Sequence, residues 1–381
     1  MTNGFPRGRA AIVGAATFGL GESPGWTSLE MAVQAAHLAL ADAGIGLPEV
    51  DALFICTPDD FLSGLSFAEA LGIRPRYTDN NRTGGSAFMS HVMVAALALD
   101  ARLCDVAVIA HGSNQRTGAG GKLVAAARPS AWEAPYKALF PASSYALAAA
   151  RHMHAFGTTR AQLAAVAVAA RQWANTNPEA FAQGPLGIDD CLAARMVSDP
   201  LSVRDCCLVT DGAAALVMTR ADRARDTARP AVAVLGAAAA TWHASISCSP
   251  DLTVTAAAES GPRALSAAGL SVADIDVVQI YDAFTINTIL FLEDLGFCPK
   301  GEGGRFVEGG RIAPGGALPV NTNGGGLSCA HPGMYGLLAL VEAVRQLRGE
   351  AANQIGGARH AIAHGNGGTL SSQATVVLGV G

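Results

Sequence analysis

The chain is poor in charge and in aromatic rings: only 15% of its 381 residues are Asp, Glu, Lys or Arg and 6% are Phe, Trp or Tyr. It has no Lys/Arg-rich block, and its formal net charge is −5. Without a basic footprint for phosphates, nucleic acid is excluded as the expected partner. No apolar run approaches the roughly 18–20 residues that span a bilayer, so no membrane span is expected. The N-terminal stretch after Arg7 and Arg9 resembles a signal peptide only superficially, because Gly14, Gly19 and Gly21 interrupt it. The eight cysteines lack the paired spacing of a metal site or a disulfide framework, which fits buried thiols in a reducing cytoplasm. A Gly-rich dinucleotide fingerprint in strand–helix context is also missing, and with it the expectation of a redox cofactor.

What is present is Ala, Gly and repetition. Half of the residues are hydrophobic and 44 are glycine, a composition that buries one large core or two fused medium ones. Ala39–Thr57 aligns without a gap on Ala264–Asp282, an offset of 225. Each copy reads as a helix end, a Gly cap at Gly44 or Gly269, an acidic turn and a buried strand. An apolar run precedes each helix, at 10–16 and 231–237. A second echo pairs Ile109-Ala110-His111-Gly112 with Ile362-Ala363-His364-Gly365. Alternating helices and apolar strands predict two doubly wound α/β halves, residues 1–225 and 226–381, with parallel sheets covered on both faces. An Ala-rich insertion at about 115–205, with helices predicted over 143–156 and 160–175, is expected to cap one edge of the first half. Gly301–Asn323 reads as a second long, site-forming loop.

Two Gly-rich turns enter apolar helices: Asn81-Arg82-Thr83-Gly84-Gly85-Ser86-Ala87 and Gly324-Gly325-Gly326-Leu327-Ser328-Cys329-Ala330-His331-Pro332. Buried helices aim free N–H groups inward, a place for a developing oxyanion; the same glycines also fit simple close packing.

These halves and motifs, with Asp211-Gly212-Ala213-Ala214 and His364-Gly365-Asn366-Gly367-Gly368, resemble the thiolase superfamily, nearest its sterol-carrier, or lipid-transfer, branch. The resemblance implies a five-layer αβαβα fold and a homodimer. It also implies a missing nucleophile, because Gly84 stands where the family carries its reactive cysteine. His331 matches the Gly-His-Pro histidine that holds the thioester oxygen. Tyr281-Asp282-Ala283-Phe284 matches the branch's His-Asp-Cys-Phe, with tyrosine in place of histidine. A site with phenols and no thiolate is similar to the thiolase-like retro-aldolases of bacterial steroid breakdown, which work with a zinc-containing OB-fold protein that binds acyl-CoA.

The resemblance therefore assigns catalysis to Tyr281, Tyr335, His331 and His364, and substrate binding to Gly84, Ser86, His91 and Asp282. One tyrosine, its pKa lowered, is expected to take the β-hydroxyl proton while His331, with His364 as a second holder, supports the enolate. Coenzyme A enters as part of the substrate and no covalently bound cofactor or metal is expected. Two other readings stay open: an acyltransferase in which Cys329 replaces the lost thiol, and a non-catalytic acyl-CoA-binding subunit. Packing alone also accounts for Tyr281, Tyr335, His91 or His364. The basic side chains of the insertion are unranked candidates for the CoA nucleotide.

Overall fold

The computed structural model describes residues 4–118 and 131–380. The first half runs β1 (Ala10–Gly21), α1 (Ser28–Ala43), β2 (Ala52–Ile55), α2 (Ser63–Leu71), β3 (Tyr77–Asp79), α3 (Ala87–Asp100) and β4 (Val106–Ser113). The insertion follows, with α4 (Ala142–Phe156), α5 (Arg160–Ala174), α6 (Ile188–Leu192) and a small hairpin of β5 (Met196–Ser198) and β6 (Leu201–Ser202), before β7 (Asp211–Arg220) closes that half. The second half runs β8 (Val232–Thr241), α7 (Ala257–Ala268), β9 (Val277–Ile280), α8 (Thr285–Asp294), α9 (Gly303–Phe306), α10 (Gly336–Arg348), β10 (His360–Gly367) and β11 (Ser372–Val380).

The repeat read from sequence is structural. Thr27 caps α1 in a reciprocal capping box with Glu30, and Gly44 ends it in the left-handed conformation, as Gly269 ends α7. Offset by 225, β2 becomes β9 residue for residue. Gly14 in β1 and Gly236 in β8 each let a helix backbone approach closely. A Cβ would lie 2.1 Å from the Ala39 carbonyl oxygen in one and 2.2 Å from that of Ala264 in the other.

All strands but the β5–β6 hairpin form one sheet in the order β3-β2-β4-β7-β1-β8-β11-β10-β9. The halves join through the short antiparallel contact of Ala11 and Ile12 with Ala233 and Val232. The expected all-parallel sheets are corrected to mixed ones. β2 lies parallel to β3 and β4, and β9 to β10, whereas β7 and β11 run antiparallel to their neighbours. For β11 the reason is connectivity: a tight turn joins β10 to β11, and a tight turn can join only antiparallel strands.

The helices α3 and α10 are sandwiched between the two half-sheets, with α1 covering the outer face of the first and α7 that of the second. This is the five-layer αβαβα arrangement. Helix α3 is apolar on nearly every side because it meets protein on nearly every side. The insertion corrects a second expectation: α4 and α5 pack on α8, and α5 also on the wide helical turn Gly325–Cys329, so the cap sits over elements of the second half. Among the described residues no helix is long and apolar enough to cross a membrane.

Candidate active site

The parallel strands β9 and β10 end side by side, and open α/β sheets bind ligands at such carboxyl ends. Immediately after β9, the Tyr281 amide donates to the His364 carbonyl at 3.0 Å, while the Ile280 amide is held by Asn321 Oδ1 at 2.8 Å. The strand end thus delivers the Tyr281 ring across the Gly84–Gly85 turn that opens α3. A Cβ on Gly85 would lie 1.9 Å from Tyr281 Cε2, so the ring occupies the space a side chain there would need. Gly84 has φ +86°, and a Cβ on it would meet Gly367 Cα at 3.0 Å. Both properties oppose a cysteine at 84.

His331 meets this ring from the other side. Its Nε2 lies 3.0 Å from Tyr281 Oη, with the rings edge to face. Its backbone is pinned twice: the amide donates to Thr210 Oγ1 at 2.9 Å and the carbonyl accepts from Gln115 Nε2 at 2.7 Å. The preceding wide turn is anchored by the buried Asp282 carboxylate, which accepts from the amides of Gly326 at 2.6 Å and Leu327 at 3.3 Å. Asp282 therefore supports the loop that carries His331. Burial pushes its carboxyl up to about 7, against the lowering effect of those two amides.

The protonation states follow from the same burial. The His331 imidazole is pushed down to about 4 and rests neutral, with Nδ1 lacking a partner among the described residues. Tyr281 and Tyr335 are pushed well above the ordinary phenol value. The expectation of a lowered tyrosine pKa is thus overturned, because a phenolate in this enclosure loses more solvation than its neighbours return.

A cavity of about 490 Å³ opens between the α3 turn, the ends of β9 and β10, and the insertion. Of the residues singled out from sequence, Tyr281, His331 and Gly84 line it. The others do not. Tyr335 is fully buried behind them, its hydroxyl donating to Asn323 Oδ1 at 2.9 Å and its ring stacked at 6.5 Å from that of His331. Ser86 Oγ bonds Ser372 Oγ and Thr83 Oγ1, each at 3.0 Å, and braces the turn from within. His91 lies between the Phe54 and Phe88 rings with neither nitrogen bonded among the described residues, and burial pushes it down to about 3. Cys329 lies off the cavity, with burial raising its thiol. The cysteines that do line it, Cys56 and Cys207, are also raised, Cys56 to about 12. Of the insertion's basic side chains, Lys122 and Arg128 lie outside the described residues.

His364 is spent in a polar ladder. Its Nδ1 meets Thr375 Oγ1 at 2.9 Å, and its Nε2 meets Gln373 Oε1 at 3.0 Å. Gln373 Nε2 donates to Asn366 Oδ1 at 2.8 Å, and Asn366 Nδ2 donates to Tyr145 Oη at 2.9 Å. Tyr145 in turn donates to the Gly368 carbonyl at 3.0 Å. His111, the sequence echo of His364, instead bridges the carbonyls of Cys56 and Pro332. Tyr145 and Asn366 both line the cavity and were not singled out from sequence. Asn366 stands in the quoted His-Gly-Asn-Gly-Gly motif, which is a usable signal. For Tyr145 there is none, since its position depends on how α4 docks. Among the described residues no group of three or more His, Cys, Asp or Glu side chains could hold a metal ion.

This geometry, an α3 turn without a nucleophile facing a tyrosine and a histidine, belongs to a recognisable lineage. Residues 238–380 match the family model for a thiolase C-terminal domain-like unit. The chain is 35% identical to the 17-hydroxy-3-oxo-4-pregnene-20-carboxyl-CoA lyase of Mycobacterium tuberculosis, covering 93% of this chain and 95% of that protein. It is also 35% identical to an acetyl-CoA acetyltransferase of Methanothermobacter thermautotrophicus, over 97% and 98% of the two chains. A solved structure described as an Ltp2-ChsH2(DUF35) aldolase superposes with a TM-score of 0.90 at 31% identity, covering 99% of both chains. The chain belongs to the thiolase superfamily.

Proposed function

We propose that this protein cleaves a β-hydroxyacyl-CoA by retro-aldol chemistry, without an acyl-enzyme. The observation that carries this reading is the Tyr281–His331 pair beside a turn whose left-handed Gly84 and close approach to Gly367 oppose a cysteine there. Claisen cleavage of a β-ketoacyl-CoA needs a thiolate to accept the acyl group, whereas retro-aldol cleavage needs a base at the β-hydroxyl and an electron sink. The M. tuberculosis relative is itself named a lyase of a hydroxylated acyl-CoA, which supports the reaction class and a bulky, steroid-like acyl group.

In this mechanism the β-hydroxyl gives its proton to Tyr281 Oη as Tyr281 passes its own to His331 Nε2. The Cα–Cβ bond breaks, a ketone leaves, and the electron pair moves into the thioester as an enolate. A neutral His331 is the competent form, and no free tyrosinate is required. The enolate oxygen would be held at the Gly84–Gly85 turn, which lines the cavity at the start of α3. Tyr335 and Asp282 act through His331 as positioning residues. Both halves, 1–225 and 226–381, supply the site. By family resemblance the working assembly is a cytoplasmic homodimer with a zinc-containing OB-fold partner; the solved aldolase is described with a second component, ChsH2(DUF35), which supports a partner protein.

The test is cleavage of a β-hydroxyacyl-CoA by the co-purified complex. Tyr281→Phe should lose about 10²-fold or more in kcat, and turnover quenched in acid should yield no acylated polypeptide by mass. An acyl adduct on any cysteine would instead support the acyltransferase activity for which the Methanothermobacter relative is named.

A further inference from the structure

Retro-aldol cleavage has two proton transfers, at the β-oxygen and at Cα. The Tyr281–His331 pair serves the first and ends it holding the proton it took. Among the described residues, a second phenol reaches the cavity from the inserted helix α4, in a separate hydrogen-bond network. Resting on the retro-aldol reading, we propose that Tyr145 is the acid that protonates Cα of the enolate.

The surroundings of Tyr145 fit an acid better than a packing residue. Its ring is fixed by stacking on Phe284 at 4.3 Å, while the hydroxyl turns toward the cavity wall formed by Asn366 and Gly368. The ladder from His364 through Gln373 sets the direction of every hydrogen bond. Gln373 gives its amide hydrogen to Asn366, so Asn366 must present its own NH2 to the Tyr145 oxygen. A donor aimed at that oxygen stabilises the phenolate left once the proton has gone. The O–H itself rests on the Gly368 carbonyl and reaches the cavity by rotating about its C–O bond. Burial raises the Tyr145 phenol to about 12, with the Asn366 bond opposing that effect. Cys56 and Cys207 line the same cavity, but no comparable donor faces either sulfur among the described bonds.

The balance is complete. The O–H bond of Tyr145 breaks and a C–H bond forms at Cα, giving the shortened acyl-CoA and a phenolate. The proton held by His331 then returns to Tyr145 through solvent after the ketone departs. Run backwards, Tyr145 first passes its proton through solvent to His331 and the phenolate then abstracts a Cα proton from an acyl-CoA, which needs no ketone and no Tyr281.

The complex is incubated with propionyl-CoA in D2O and deuterium at Cα is followed by mass. Wild type and Tyr281→Phe should exchange at rates within about threefold of each other, while Tyr145→Phe should exchange about 100-fold more slowly. In cleavage, Tyr145→Phe should lower kcat with KM unchanged within about twofold. Tyr145→Phe that exchanges at the wild-type rate overturns the proposal, as does a wild type that cleaves substrate yet exchanges nothing. Retention of cleavage by Tyr281→Phe would sink the base assignment while leaving the exchange measurement to judge Tyr145.

Discussion

Gly85→Ala adds one methyl group, and the structure specifies its consequence. The new Cβ would sit 1.9 Å from Cε2 and 2.6 Å from Cδ2 of Tyr281, with the Asn366 carbonyl oxygen at 2.8 Å on the other side. Ordinary contact begins near 3.4 Å, so the Tyr281 ring would have to retreat by about 1.5 Å, the difference between 3.4 and 1.9 Å. The ring sits between the α3 turn and His331, so a retreat from the turn displaces it from the 3.0 Å bond to Nε2. A misplacement of about 1 Å in a catalytic group costs on the order of 10²-fold in rate. Overpacking of this kind costs about 1–3 kcal/mol of stability. The assay is kcat for cleavage alongside a thermal melt of the same preparation. The control is Tyr281→Ala, which removes the two shortest contacts and leaves only that with the Asn366 carbonyl oxygen: in that background Gly85→Ala should cost clearly less stability. Gly85→Ala with wild-type kcat, or with the same stability penalty in both backgrounds, would refute the argument that Tyr281 occupies the side-chain space of residue 85.

Three further outcomes are expected. The Asp282 carboxyl, at about 7, must be ionised to accept both amides of the His331 loop. Activity should therefore be full above that pH and fall as pH drops through it, and a kcat/KM profile flat from pH 8 to 5.5 would exclude this coupling. His91→Leu removes two unsatisfied nitrogens from between aromatic rings and should raise stability by about 1–3 kcal/mol with kcat unchanged. The unfolded chain takes up a proton near pH 6.5 and the folded one only near 3, so the melting-temperature gap should widen below pH 6.5. Tyr335→Phe keeps the stacked ring and loses one bond to Asn323, so it should lower kcat by less than about tenfold, well short of the loss in Tyr281→Phe. Equal losses in the two variants would return Tyr335 to the chemistry itself.

The duplicated helix-cap-strand unit was legible in the sequence itself, while the proposed vacancy at Gly84 and the candidacy of Tyr281 and His331 came only with the family resemblance. Helix caps and strand ends are local, and a gapless offset of 225 repeats local signals wholesale. Local likeness also misled: His111 and His364 sit in echoing motifs on corresponding strands, yet one bridges two carbonyls and the other is consumed by Thr375 and Gln373. Strand direction, the placement of the insertion over α8 and the raised phenols were decided in three dimensions. So was the entry of Tyr145 into the cavity. Each depends on which distant segments exclude water around a group, and neither periodicity nor spacing encodes a neighbour more than two hundred residues away, as Asn366 is to Tyr145.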